Sequence, residues 1–297
     1  MEEEKEVMMP KRSKQAQPGG KAVSKANGKR KKPAGKRKRK KKGGKEISVW
    51  WFVALAAVTV TVFVIAPLFL SRCSHESGVR LPEGNYGYAV DISKYQKGIV
   101  WDSLMVISDA RGCTSKSIRS AKEIHRVKYV IVKATEGEKL TDALFDDHWK
   151  RSASAGYSRG AYHFFRSSKS PEKQAQNFIS KVGNIRHKDL PPILDVETIH
   201  PGCSKAELNR KILVWLRAVE NHYGRKPIVY TGDTFLRNHL SPEVYDHYPI
   251  WIARYGNSTT LITPPRHTNW LMWQFTDRAT VYGIPTPCDL SVVAAQQ

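Results

Sequence analysis

The stretch PPILDVE, residues 191–197, ends an otherwise apolar run on two carboxylates one valine apart. Successive side chains of an extended strand point to opposite faces, so Asp195 and Glu197 share a face, roughly 6–7 Å apart along the chain. Like charges at that range disfavour joint ionisation. Two acids whose pKa values are pushed apart can serve as a proton donor and a lasting anion. A strand running out into a solvated loop would give the same letters. The choice depends on whether other acids gather at the same place, and therefore on the elements that carry them.

Eight short runs rich in β-branched and aromatic residues recur along the chain, at 88–93, 129–135, 160–165, 191–197, 227–232, 249–255, 270–277 and 289–293. Continuous rather than alternating apolarity marks strands buried on both faces and predicts a parallel sheet. Helical segments fill the earlier gaps. Residues 204–224 open with Ser204 and Glu207 in capping-box spacing and close on Gly224. Along them Leu208, Ile212, Trp215, Leu216, Val219 and Tyr223 form one core-facing stripe. Residues 171–183 begin a second helix with Pro171 after Ser170. Later gaps are too short for full helices. The expected fold is α/β, an irregular, TIM-barrel-like (β/α) barrel of eight strands with its helices reduced in the second half.

Such a barrel places chemistry at the C-terminal strand ends. Asp91 lies in the first strand, Asp195 and Glu197 end the fourth, and Asp289 opens the last. Closure sets first and last strands side by side, making Asp91 and Asp289 neighbours. Four acids converging on one opening are hard to explain as structure.

The rest of the chain limits where this barrel works. The formal charge of the 297 residues is +22, yet residues 1–46 alone hold 18 Lys and Arg against 5 Glu, leaving +9 for the remaining 251. This segment has no apolar periodicity and reads as a disordered basic tail. Residues 47–70 carry no charge at all. As a helix they would span roughly 36 Å, enough for a bilayer core of about 30 Å. A cleaved signal peptide would have a shorter apolar region and a much shorter basic one. The positive-inside rule places the tail in the cytoplasm and everything after residue 70 across the membrane, periplasmic or extracellular. The expected organisation is tail 1–46, transmembrane helix 47–70, polar linker 71–86 and barrel domain 87–297. A polybasic tail beside a membrane span fits anionic lipid headgroups, and no specific nucleic-acid partner is expected. The ten His are scattered and no CxxC pair exists, so no metal or cofactor is expected.

The motifs GYAVDISKYQKGIVWD, VIVKATEG, GAYHFF, PPILDVE, VYTG, WIARYG, WQFTD and a late CDLS, in this order, resemble the family-25 glycoside hydrolases, the N-acetylmuramidase-type lysozymes. The likeness runs from about Tyr86 to Val293. It implies cleavage of the β-1,4 bond between N-acetylmuramic acid and N-acetylglucosamine, with peptidoglycan strands as partner. On that resemblance Glu197 is the general acid and Asp195 the anion that stabilises a sugar cation or an oxazolinium. Asp91 and Asp289 are supporting acids, and Lys133, Tyr162, His163, Tyr230, Trp251, Arg254 and Gln274 are candidates for contact with sugar. For His163 and Trp251 a purely structural place in the barrel is an equal reading. The long segment 103–128, with Cys113, departs from the family pattern and is expected to reshape one end of the cleft or to pair with Cys73. Cys203 and Cys288 are expected to bridge and pin the mouth. A non-catalytic glycan-binding scaffold on the same fold is the competing reading, which would typically have lost one of the acids.

Overall fold

The computed structural model describes residues 78–256 and 270–294. The basic tail, the expected transmembrane helix, most of the linker and Cys73 lie outside these residues. Among the described residues no helix is long and apolar enough to cross a membrane.

In chain order the elements are β1 (Gly87–Ile92), β2 (Met105–Ser108), β3 (Thr114–Ser115), β4 (Glu123–Glu136), β5 (Leu140–Thr141), α1 (Phe145–Ser154), β6 (Ser158–Phe164) and α2 (Pro171–Val182). They continue with β7 (Ile193–Asp195), α3 (Lys205–Tyr223), β8 (Ile228–Gly232), α4 (Asp233–His239), α5 (Pro242–Tyr245), β9 (Ile250–Ala253), β10 (Trp270–Ala279) and β11 (Cys288–Val293). Strands β1, β4, β6, β7, β8, β9, β10 and β11 close into a ring, β1 pairing with both β4 and β11. These are the eight runs marked by their apolarity.

One direction differs from expectation. β11 runs antiparallel to both β10 and β1, whereas all other neighbours in the ring are parallel. The cause is the connection. Residues 280–287 are too few for a crossover, which needs about a dozen residues or more, so the chain turns back as a hairpin. The first connection is also unusual: β2 and β3 extend the N-terminal half of β4 as a small antiparallel sheet in place of a crossover helix.

The helices form where their caps direct. Ser204 accepts a hydrogen bond from the Glu207 N–H at 3.1 Å, and Gly224 closes α3 in the left-handed conformation at φ 64°. Leu208, Ile212, Trp215, Leu216 and Val219 are wholly buried against the barrel. Ser170 caps α2 in the same manner, with Pro171 in the first turn.

Strand pleating sorts the core into two layers. Outward-facing Val90, Val132, Leu194, Val229, Ile252 and Trp273 join the helices in the larger cluster. Inward-facing Ala89, Ile131, Ile193, Ile228, Trp251 and Met272 fill the barrel axis as a plug. The functional side chains stand one pleat above this plug.

Candidate active site

Two residues beyond each plug residue, the same strands turn the next side chain inward. Ala89 leads to Asp91, Ile131 to Lys133, Ile193 to Asp195, Ile228 to Tyr230 and Met272 to Gln274. Because β11 is reversed, its first residues rather than its last lie at the mouth, and Asp289 is directly paired with Asp91. The expectation that these two acids adjoin therefore holds, through a strand direction opposite to the one expected. Together the row lines a cavity of about 300 Å³, completed by Ser93, Tyr95, Tyr162, Phe164, Glu197, Trp251 and Tyr255.

The acids are not equivalent. Asp91 and Asp195 are nearly closed off from solvent, 7% exposed each. Burial, and then the charge and hydrogen bond of Asp289, hold Asp91 well above the usual carboxylate range. Burial together with the Glu197 charge does the same to Asp195, and its Oδ1 atom has no hydrogen-bond partner among the described residues. Asp289 is pushed up to about 6, mainly by burial. Glu197 follows the end of β7 on the rim with its side chain open to solvent, and partial desolvation of its carboxyl still raises it. Val196, between the two acids, is buried in the outer layer, as alternation requires.

Polar groups fix this row. Tyr230 and Tyr255 both donate to Gln274 Oε1, at 2.7 and 2.6 Å, and Gln274 Nε2 donates to Asp91 Oδ2 at 3.0 Å. Lys133 donates to Glu136 Oε2 at 2.7 Å, and Arg166 binds the other oxygen of Glu136, so the Lys133 charge is held beside the Phe164 ring. Burial alone would raise Glu136, but these two cations lower it below the usual range. Trp251 donates to Ser291 Oγ at 3.0 Å and meets the Tyr230 ring edge to face at 4.5 Å, so it is both plug and cavity wall.

Two expected sugar contacts lie elsewhere. His163 faces the helices rather than the cavity: it is fully buried, bonded to Thr135 Oγ1 at 2.7 Å and Gln174 Oε1 at 3.2 Å, and stacked on Trp215. Burial lowers it to about 4, so it is neutral in ordinary buffers. Its position is one residue out of phase with inward-facing Tyr162. Arg254 is exposed in an adjoining cavity with Asp233, Phe235 and Tyr255, and Glu197 borders both cavities. Tyr255 and Phe164, missed from sequence, continue the inward phase of Ala253 past the end of β9 and of Tyr162 at the end of β6, whereas Tyr95, in the loop after β1, had no comparable signal.

The Cys203–Cys288 bridge and the place of the insertion at the cleft are corrected, whereas the expected Cys73–Cys113 pair falls on a residue outside the described ones. Cys203 and Cys288 are buried free thiols. Cys203 follows β7 and Cys288 opens β11, four strands apart in a ring of eight and so on opposite sides of the barrel. No residue of the segment 103–128 lines the acid cavity. That segment instead packs beside the β10–β11 loop, through the Met105–Tyr282 bridge and the Lys116 ammonium on the Pro285 carbonyl.

A closed barrel whose opening is lined by several carboxylic acids carries the equipment of a glycosidase. Residues 90–284 match the sequence profile of the glycosyl hydrolases family 25, and the chain belongs to that family. It is a glycoside hydrolase. The chain is 34% identical over 216 residues to the uncharacterized protein YegX of Escherichia coli K12, covering 72% of each. It is 30% identical over 164 residues to the autolytic lysozyme of Clostridium acetobutylicum, covering 55% of this chain and 48% of that one. The bacterial lysozyme structure from Streptomyces coelicolor superposes with a TM-score of 0.59 at 24% identity, over 72% of this chain and 94% of that one, and so shares the fold. A muramidase structure from Trichobolus zukalii superposes with a TM-score of 0.56 at 25% identity, over 71% and 94%.

Proposed function

We propose that the protein is a muramidase that cleaves the β-1,4 bond after N-acetylmuramic acid in peptidoglycan, and that residues 47–70 anchor it with the barrel on the outer side of the membrane. The observation that carries the activity is the row of Asp91, Asp195 and Asp289 above the apolar plug, with Glu197 on the rim beside them. In this reading Glu197, whose carboxyl is raised by partial desolvation, delivers its proton to the glycosidic oxygen as the C1–O bond breaks. The sugar's own acetamido oxygen closes on C1, and Asp195, whose Oδ1 is unpartnered, holds the acetamido N–H and stabilises the oxazolinium. Glu197, now a carboxylate, takes a proton from the incoming water, which opens the ring and leaves a reducing N-acetylmuramic acid. The Asp91–Asp289 pair and Tyr162 shape the floor beneath the sugar.

The test is release of muropeptides from purified peptidoglycan by the full-length protein, with Glu197→Gln alongside and borohydride labelling of new reducing ends. Labelled N-acetylmuramic acid that is absent with the variant supports the reading. Labelled N-acetylglucosamine, or no cleavage by folded protein, overturns it. Fractionation that places the barrel domain in a soluble extract would overturn the anchor.

A further inference from the structure

The end of the barrel opposite the acids holds a larger cavity, about 850 Å³, with an apolar floor and a basic rim. The floor is the underside of the plug, where Met272 and Val293 meet Leu190 and Leu271. On the rim stand Lys128, Lys188 and Arg225. Asp189 also borders the cavity, but its charge is already matched twice, by Arg159 and Arg186. Among the described residues the three rim cations have no ion-pair partner. Two of them are held in place all the same. Arg225 Nη1 donates to the Asp189 carbonyl oxygen at 2.8 Å, which leaves the other guanidinium N–H groups for a ligand, and the Lys128 ammonium lies 5.2 Å from the centre of the Tyr129 ring. Unmatched cations around an apolar floor suit an anion that carries hydrocarbon. A neutral sugar would leave the rim charges unused, and a bare polyanion the floor.

The chain itself points to the source of such an anion. Only residues 71–77 lie between the uncharged run 47–70 and the first described residue, a reach of at most about 30 Å. Asn85, Tyr86 and Gly87, where that segment joins β1, form part of the cavity wall. The mouth, by contrast, gathers Asp91, Asp195, Glu197 and Asp289. Over an anionic leaflet, a barrel on so short a tether is drawn with its basic end down and its acids away.

We propose that the closed end of the barrel is a docking surface for anionic membrane phospholipid: Lys128, Lys188 and Arg225 take the headgroup phosphate, and the underside of the plug receives the glycerol and upper acyl carbons beside it. Tyr86 and Tyr129 in the cavity wall are of the amphipathic type that sits at headgroup level. Docking turns the acid-lined mouth away from the bilayer, towards the glycan. The inference rests on the reading of residues 47–70 as an anchor, which brings the lipid surface within reach.

The experiment is amide hydrogen exchange of the full-length protein in nanodiscs of phosphatidylcholine alone and of phosphatidylcholine with phosphatidylglycerol. Phosphatidylglycerol slows exchange several-fold at residues 85–87, 128–129 and 187–190 and leaves the loop 93–97, at the mouth, unchanged. Each basic side chain near an anionic surface contributes about fivefold to binding, so Lys128→Gln/Lys188→Gln/Arg225→Gln loses roughly 100-fold and returns these segments to their phosphatidylcholine rates. Lys128→Gln/Lys188→Gln, which keeps the Arg225 bond to Asp189, loses about 25-fold and gives the same reading if the triple variant fails to fold. Lys205→Gln/Arg210→Gln/Arg217→Gln removes the same charge from the exposed side of α3 and keeps the protection. Protection that survives the closed-end variants, or falls equally with the α3 variant, overturns the site. The same protection on phosphatidylcholine discs from added inorganic phosphate or a soluble glycerophosphate polymer overturns lipid as its occupant. Co-elution with phosphatidylcholine discs reports the anchor separately: protein that fails to co-elute removes the anchor, and exchange with phosphatidylglycerol vesicles then decides the closed end by itself.

Discussion

Carboxylates stand at both ends of this barrel and live under opposite conditions. At the closed end Asp189 is buried, and burial alone would raise it. Hydrogen bonds from Arg159 and Arg186, with their backbone N–H groups, instead hold it far below the usual range. At the mouth Asp91 and Asp195 are buried and Asp289 is half-buried, none is hydrogen-bonded to a guanidinium in the described contacts, and all three are raised. The same functional group is structural where its charge is matched and reactive where charges of one sign are crowded. Crowding costs stability, and chemistry is the use that offsets it.

The largest effect that would sharpen this contrast is kinetic. Glu197→Gln should reduce turnover on the order of 10²–10⁴-fold, while its exposed position keeps the change in stability within about 0.5 kcal/mol; parallel activity and urea-unfolding measurements check both. A comparable loss of stability would mean that Glu197 has a structural role as well. Next is Asp189→Asn, which leaves the buried Arg159 without its counter-charge and should cost about 3–5 kcal/mol in urea unfolding, with the folded fraction still active. A mild loss would break the comparison from the other side.

The pH dependence of stability follows from the two signs. A raised carboxyl binds a proton more tightly in the folded state, so the mouth lowers stability as pH rises from about 4 to about 6, the window set by an ordinary aspartate and by Asp289. Asp189 is lowered, so its contribution is present above about pH 4 and lost below it. Thermal unfolding should therefore show a maximum on the acid side of neutrality, and Asp91→Asn should flatten the descent between about pH 4 and 6. A wild-type Tm that climbs steadily to pH 7 would contradict the crowding. The smallest effect is at His163: His163→Gln should cost about 1–3 kcal/mol through its Thr135 and Gln174 bonds and leave KM of the folded enzyme unchanged. A raised KM would bring His163 back to the sugar.

Much of this was legible in sequence because alternation is a strict rule. A strand that puts Ile193 on the axis must put Asp195 there too, and the eight apolar runs were enough to collect the row. The same rule excludes His163 from the row: it shares a motif with Tyr162, but its phase is that of its partner Leu194. Strand direction was harder, since apolarity says that both faces are covered and nothing about polarity; the length of 280–287 held that information. The Cys203–Cys288 bridge failed because sharing a predicted end of a barrel does not fix the distance around its circumference. Gln274 was found, but its saturation by two phenols and an acid depends on three other strands and cannot be read from one.

The reversed β11 has a practical reach beyond the site. Gly87 and Val293 are direct partners across the β1–β11 pair, so the polypeptide enters and leaves the barrel side by side at the end away from the cavity. Joining those ends would make a circular permutation inexpensive, and new termini could be opened in an outer loop without disturbing the acids. A label or surface coupled at either end would hold the enzyme with its opening outward, like a lamp on a stalk.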